Sequence, residues 1–180
     1  MIQETQLGFA DEMRVGLIGQ VRRIWAPRGL KVRQRLQMDR VWRYLALAVD
    51  VRRGRVVWHW IANLKGPAIA EAVRHWQEQG IEAVVWDGAS GHGSPEVQAL
   101  GLKTIRQPPY APELNPAERL FEELRGKIEW RLYASIEEKV AAVERELRAL
   151  AADPDRVKRL VGWHWIHQAY ERLPQMVAVS

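Results

Sequence analysis

Apolar residues change their period along this 180-residue chain, and the changes mark out its elements. The stretch 5–11, TQLGFAD, reads as a first strand almost at the start. Arg14 to Trp25 reads as a second, closed by a Pro27-Arg28-Gly29 turn. VWRYLALAV over 41–49 and RVVWHWIA over 55–62 are further strands, rich in β-branched and aromatic residues. Val51-Arg52-Arg53-Gly54 between them suits a hairpin whose glycine supplies a positive φ. The first third therefore predicts a meander of antiparallel strands.

After Gly66-Pro67 the period lengthens. Ile69, Ala72, Val73 and Trp76 recur at helical spacing until Gly80 stops the helix. The run Ala83-Val84-Val85-Trp86 predicts a buried strand over 82–87. A short helix from about Pro95 to Leu100 and a short strand from Leu102 to Ile105 come next. Three prolines keep 107–114 irregular. Asn115 as N-cap and Pro116 at the first helical position open a helix that buries Leu120, Phe121, Leu124 and Ile128. Ser135 and Glu138 form a capping box for the next helix. Its stripe of Ile136, Val140, Val143, Leu147 and Leu150 is core or a packing seam. Asp153-Pro154 starts a last helix running through Val157, Leu160, Val161 and Trp165 to about Leu173. The succession predicts an α/β fold with a mixed sheet, antiparallel meander plus parallel strands, flanked by helices.

Composition narrows the partners. An apolar content of 47% supports one core, and the absence of cysteine excludes disulfides and thiolate metal sites. No run approaches membrane-spanning length, and MIQETQLGF lacks the basic start and apolar core of a signal peptide, so the expected setting is cytoplasmic and nucleoid-associated, with no membrane partner. Net charge is +5 and the isoelectric point near 9.8, which points to a polyanion. Residues 14–43 hold nine Arg or Lys against one acid, Asp39, a local net of +8. Such a segment is either a solvated basic surface or a nucleic-acid footprint. Interleaved Trp25, Trp42 and Tyr44 favour the second, because cations hold phosphates while aromatic faces stack on bases. Arg22, Arg23, Arg28, Lys31, Arg33 and Arg35 are the DNA-contact candidates.

Candidate chemistry concentrates between Val84 and Leu124, VVWDGASGHGSPEVQALGLKTIRQPPYAPELNPAERLFEEL. Asp87 ends the buried strand, where ligands of open α/β sheets gather. Glu118 sits in the first turn of the Asn115 helix, with 30 residues between the two acids. Each has an ordinary alternative: Asp87-Gly88 is a common turn pair, and Glu118 could close a capping box with Asn115. Acids at a strand end and a helix start can nonetheless converge on one cation, and Asp11 is the best third member. His92, five residues past Asp87, either orients substrate or packs locally. Glu12, Glu113 and Glu122 lie near the proposed ligands, and Glu12 is the main competitor of Asp11. His164 and His167 read as surface or core histidines.

WDGASGH followed by PPYAPELNPAE resembles the DDE transposases, specifically the bacterial insertion-sequence branch of the mariner-like superfamily. Asp11-Glu12, trailed by a basic segment ending Trp25-Ala26-Pro27-Arg28-Gly29, agrees with the family's first acid and the basic stretch beyond it. The resemblance covers about residues 6–150. It implies a ribonuclease H-like fold, which the order of strands and helices matches independently, over a catalytic domain of residues 1–152 with a packed C-terminal helix at 153–180. It further implies Asp11, Asp87 and Glu118 as catalytic metal ligands for two Mg²⁺ or Mn²⁺ ions, with His92 near the DNA path. The implied activity is metal-dependent cleavage and strand transfer of DNA. The implied partners are transposon ends, target DNA and a second copy in a homodimer. Relatives carry helix-turn-helix domains ahead of the catalytic one, and Asp11 lies ten residues from Met1. A split-frame half, with a separate helix-turn-helix partner encoded upstream, a truncated piece or a remnant are the readings of that spacing. The rival functions are a ribonuclease H-like nuclease without strand transfer and an inactive DNA-binding remnant.

Overall fold

The computed structural model describes residues 6–19, 25–31, 33, 35, 37–109, 111–129 and 131–168. Its centre is β1, Leu7–Gly16, the middle strand of a five-stranded sheet. β2 (Trp42–Asp50) pairs with it antiparallel from Phe9–Val49 to Gly16–Trp42, and β3 (Arg55–Ile61) continues the meander on the outer side. β4 (Ala83–Trp86) and β5 (Lys103–Arg106) add on the other side, both parallel, giving the order β3-β2-β1-β4-β5. This is the mixed sheet that the sequence predicts.

Helices cover both faces. α1 (Gly66–Glu78) and the single turn α2 (Pro95–Gln98) pack over Ala10, Ala46, Ala48, Val84 and Trp86. α3 (Pro116–Ile128), α4 (Ile136–Ala151) and α5 (Pro154–Val161) pack over Leu7, Phe9, Met13, Val15, Leu45 and Leu47. Side chains alternate along a strand, so odd residues of β1 face the α3–α4 layer and even ones the α1–α2 layer. That parity sorts the two adjacent acids, 11 and 12, onto opposite faces.

Several expectations need correction. β1 runs unbroken through Asp11 and Glu12 to Gly16, so Arg14 belongs to the first strand, and no described residue between 17 and 41 is in a strand. Two acids interrupt the apolar pattern there, yet Leu47 and Ala46 of β2 sit opposite them and keep the ladder going. Backbone pairing, not side-chain polarity, sets the strand's length. The proline-rich loop contains one 3₁₀ turn, Pro112–Leu114, short enough for prolines to start it. The last helix ends at Val161, since Gly162 leaves helical geometry with ψ 61°, and helix resumes over 164–168. Its expected end near Leu173 lies outside the described residues. On α4 the stripe is buried except for half-buried Val140, and Lys139 is buried beside it, which the apolar pattern did not announce. Gly54, at φ 64°, makes the β2–β3 turn where a side chain would strike the Pro154 carbonyl.

Between β1 and β2 the chain leaves the sheet as an arm. Its root is held by Leu17 N–H to the Val41 carbonyl (3.0 Å) and Gly19 N–H to the Gln37 carbonyl (2.9 Å). Further out, Leu30 N–H closes a turn on the Pro27 carbonyl (3.1 Å), with Gly29 at φ 90°. Trp25, Leu30 and Met38 are exposed on it. No helix among the described residues is long and apolar enough to cross a membrane.

Candidate active site

The site is built where β1, β4 and α3 meet. The β1–β4 register pairs Phe9 with Val85, and two residues further along each chain bring Asp11 level with Asp87, the first residue past β4. α3 is aimed at the same point by Asn115. Its side-chain oxygen accepts from Ala117 N–H (3.0 Å), capping the helix, while its amide donates to the Ala10 carbonyl (3.0 Å) across the layer. A buried asparagine thus ties the helix start to the strand residue next to Asp11. Glu118 does not close a capping box, because Asn115 N–H is committed to the Pro112 carbonyl (2.9 Å). Its carboxylate lies 3.7 Å from Arg125.

Charge gathers on Asp11. Burial drives its carboxyl pKa up to about 7; a hydrogen bond from Glu12 N–H (2.7 Å) opposes the rise, and the negative charges of Glu12, Glu118 and Asp87 add to it. Among the described residues no three His, Asp or Glu side chains are grouped tightly enough to hold a metal as they stand. Each acid has instead a local partner: Glu12 N–H for Asp11, Ala89 N–H (2.9 Å) and His92 (3.0 Å) for Asp87, Arg125 for Glu118. An acid whose pKa burial raises, with further acids on two neighbouring elements, offers oxygen donors of the kind a hard divalent cation prefers.

Glu12 points to the opposite face. Both its oxygens meet His92 Nε2, at 3.2 and 3.1 Å, while His92 Nδ1 faces the Asp87 carbonyl at 3.1 Å and carboxylate at 3.0 Å. The imidazole is buried and stacked on Trp86, 4.0 Å between ring centres and 2° between planes. Burial disfavours the imidazolium, but Glu12 and Asp87 outweigh it and hold the His92 pKa above the ordinary histidine value. His92 is therefore a clamp joining the Asp87 corner to β1.

The remaining candidates separate. Glu122 pairs with Arg119 (3.2 Å), and Glu113 is exposed on the 3₁₀ turn. His164 is exposed beside Gln168 (2.9 Å). Arg28, Lys31, Arg33 and Arg35 are exposed on the arm, whereas Arg22 and Arg23 lie outside the described residues. Sequence reasoning missed Arg106, at the end of β5. Its guanidinium lies against Gly88, where any side chain would strike it, so a cation stands beside Asp87. The bare glycine after Asp87 was the available signal.

A family model described as DDE superfamily endonuclease matches residues 6–139. No curated protein matches in sequence. Among solved structures, the chain is similar to the Mos1 transposase paired-end complex with left transposon end, at 16% identity and a TM-score of 0.65, covering 98% of this chain and 55% of that one. It is also similar to the mariner Mos1 paired-end complex with Mg, at 16% identity and TM-score 0.66, covering 93% and 54%, and to the complex with Mn, at 13% and 0.61, covering 87% and 54%. The chain spans little more than half the length of those transposase chains. At such identities the likeness speaks for the fold, which is ribonuclease H-like.

Proposed function

Because this chain belongs to the DDE superfamily endonucleases, we propose that it is a transposase catalytic domain of the bacterial insertion-sequence, mariner-like kind, cutting DNA and joining the cut end to target DNA. Residues 1–152 are the catalytic unit in this reading and 153–180 a C-terminal helix packed on it, and the chain works on DNA as a homodimer. The observation that carries it is geometric: the β1–β4 register brings Asp11 level with Asp87, and Asn115 ties the start of α3, which bears Glu118, to Ala10 beside Asp11. Asp11 is preferred to Glu12 as ligand because strand parity turns it to the α3 face, while Glu12 is taken by His92.

In this reading Asp11, Asp87 and Glu118 hold Mg²⁺ or Mn²⁺, two ions for three carboxylates. Bound there, the ions supply activation of the attacking oxygen and stabilisation of the leaving one in an in-line displacement at phosphorus. The residues of the chain do the positioning. Asn115 fixes where Glu118 can reach by tying α3 to β1. His92 anchors the Asp87 corner to β1, with Nδ1 at Asp87 and Nε2 at Glu12, and being buried it acts on Asp87 rather than touching DNA. Arg106 offers a guanidinium beside Asp87 for a phosphate oxygen. The arm's exposed cations carry the flanking duplex.

Supercoiled plasmid with Mg²⁺ or Mn²⁺ tests this. The wild-type chain should nick it, and joined products should appear when a pre-cut transposon end is supplied. Asp87→Asn keeps size and hydrogen bonding but removes a charge the cation needs, so nicking should fall by at least roughly 100-fold, the scale seen when one charge-stabilising group is lost. Nicking by the variant at the wild-type rate excludes Asp87 as a ligand. Nicks without joined products point to a plain nuclease.

A further inference from the structure

At the root of the arm, a cavity of about 310 Å³ opens on the α3–α4 side of the sheet. Arg33 and Arg35 reach it from the arm, and Arg131 from the loop between α3 and α4, almost a hundred residues later. Gln37 donates to the Tyr133 carbonyl (3.0 Å) and so pins the arm to that loop. Lys139 forms the inner wall, donating to the Gly16 carbonyl (2.6 Å) and to Glu129 (3.2 Å). Lys139 and Glu129 are both nearly buried, 4% and 10% exposed, and neutralise each other. Arg33, Arg35 and Arg131 make no ion pair or hydrogen bond with other described residues. Three unneutralised guanidiniums therefore share one polar cavity.

We propose that this cavity is a phosphate site, taking one phosphodiester of a DNA duplex whose scissile phosphate lies at Asp11. The inference rests on the DNA-cutting function above and extends it to Arg131, outside the carboxylate cluster, which joins two arginines of the basic arm in one site. Guanidiniums present paired N–H donors that match phosphate oxygens, and gathered like charges are relieved by an anion. Distance selects which phosphate. Asp11 and Gly16 are five residues apart on one extended strand, about 17 Å at the usual strand rise. Duplex DNA rises about 3.4 Å per base pair along its axis, so the cavity takes a phosphate within about five base pairs of the cut. Asp11 and the cavity lie on the same α3–α4 face of the sheet, so one duplex can span both.

Arg131→Ala in the full chain tests this, because Arg131 lies outside the carboxylate cluster. Binding to a duplex carrying the transposon end is measured across salt concentrations. Affinity should fall roughly tenfold, the scale of one charged hydrogen bond, and the slope of log K against log salt should flatten by about 0.9. Arg131→Lys should keep the slope. In parallel, single neutral methylphosphonates are placed along the duplex. One position within about five base pairs of the cut should weaken wild-type binding and weaken Arg131→Ala binding distinctly less. If Arg131→Ala keeps wild-type affinity and slope, or if every methylphosphonate affects both proteins alike, the phosphate site is wrong while the cutting function stands. A wild-type chain that binds no duplex overturns both. The methylphosphonate scan on wild-type protein decides the matter even if the Ala variant does not fold.

Discussion

Asp11 is the residue on which the charge of the site converges, and its titration makes a measurable demand on the fold. Its carboxyl rises from an ordinary 3.8 to about 7, through burial first and then neighbouring acids. Between those values the folded state binds a proton that the unfolded chain has released. Its contribution to stability therefore falls as pH rises from about 4 to 7 and stays lost above. His92, with a raised pKa, adds stability below its ordinary value that is lost on further rise, so both groups weaken the metal-free fold toward alkaline pH. Asp11→Asn should remove the first part. In EDTA at pH 8 the variant should melt roughly 4–8 °C above wild type, from a cost on the order of 2 kcal/mol after allowing for partial exposure. At pH 4 the two should coincide. Mg²⁺ should raise the wild-type melting temperature more at pH 8 than at pH 6 and leave Asp11→Asn unmoved. A pH-independent difference would mean that the substitution acts through packing.

Among the elements, α3 shows how much of the site was legible. Asn115-Pro116 announced the helix start and Asp87-Gly88 the strand end, because caps and turns are written in adjacent residues. The partners of those signals were not legible. Asn115 donates to Ala10 across 105 positions, His92 clamps Glu12 across 80, and Lys139 reaches Gly16 across 123. Such pairs exist only after the layers have packed. The same cause hid the length of β1, whose acids broke the apolar pattern while β2 kept the ladder. Asn115 is the link that can be tested. Asn115→Ala removes a cap and strands the buried Ala10 carbonyl, at a cost of about 2–3 kcal/mol in urea unfolding. Asn115→Asp keeps the cap acceptor but cannot donate to Ala10. It should recover part of the stability and little of the cleavage, since α3 is no longer tied to β1. Full cleavage by Asn115→Asp would show that the cap alone aims Glu118.

Taken whole, the molecule divides its charge: acids gather where β1, β4 and α3 meet, and cations stand out along the arm that leaves β1 beyond them. Arg43 is spoken for by Glu137 (3.3 Å), and Arg14 lies over the Trp42 ring (5.5 Å). Arg28, Lys31, Arg33, Arg35 and Arg40 have no ion pair among the described residues. Five free cations on one projection make a footprint for a duplex without making base-specific contacts, because phosphates carry no sequence information. Each neutralised phosphate contributes about −0.9 to the slope of log K against log salt, so one each for Arg28, Lys31 and Arg40 and one for the cavity that Arg33 and Arg35 share predict a slope near −3.6. Binding should fall steeply between low and physiological salt and change little between unrelated duplexes. Replacing Arg28, Lys31, Arg33 and Arg35 together by Ala should bring the slope to about −1 on any sequence, with the melting temperature unchanged because these side chains are exposed. Binding to one sequence that is tight and insensitive to salt would mean that the arm reads bases, with Trp25 and Leu30 rather than the arginines as its contact surface.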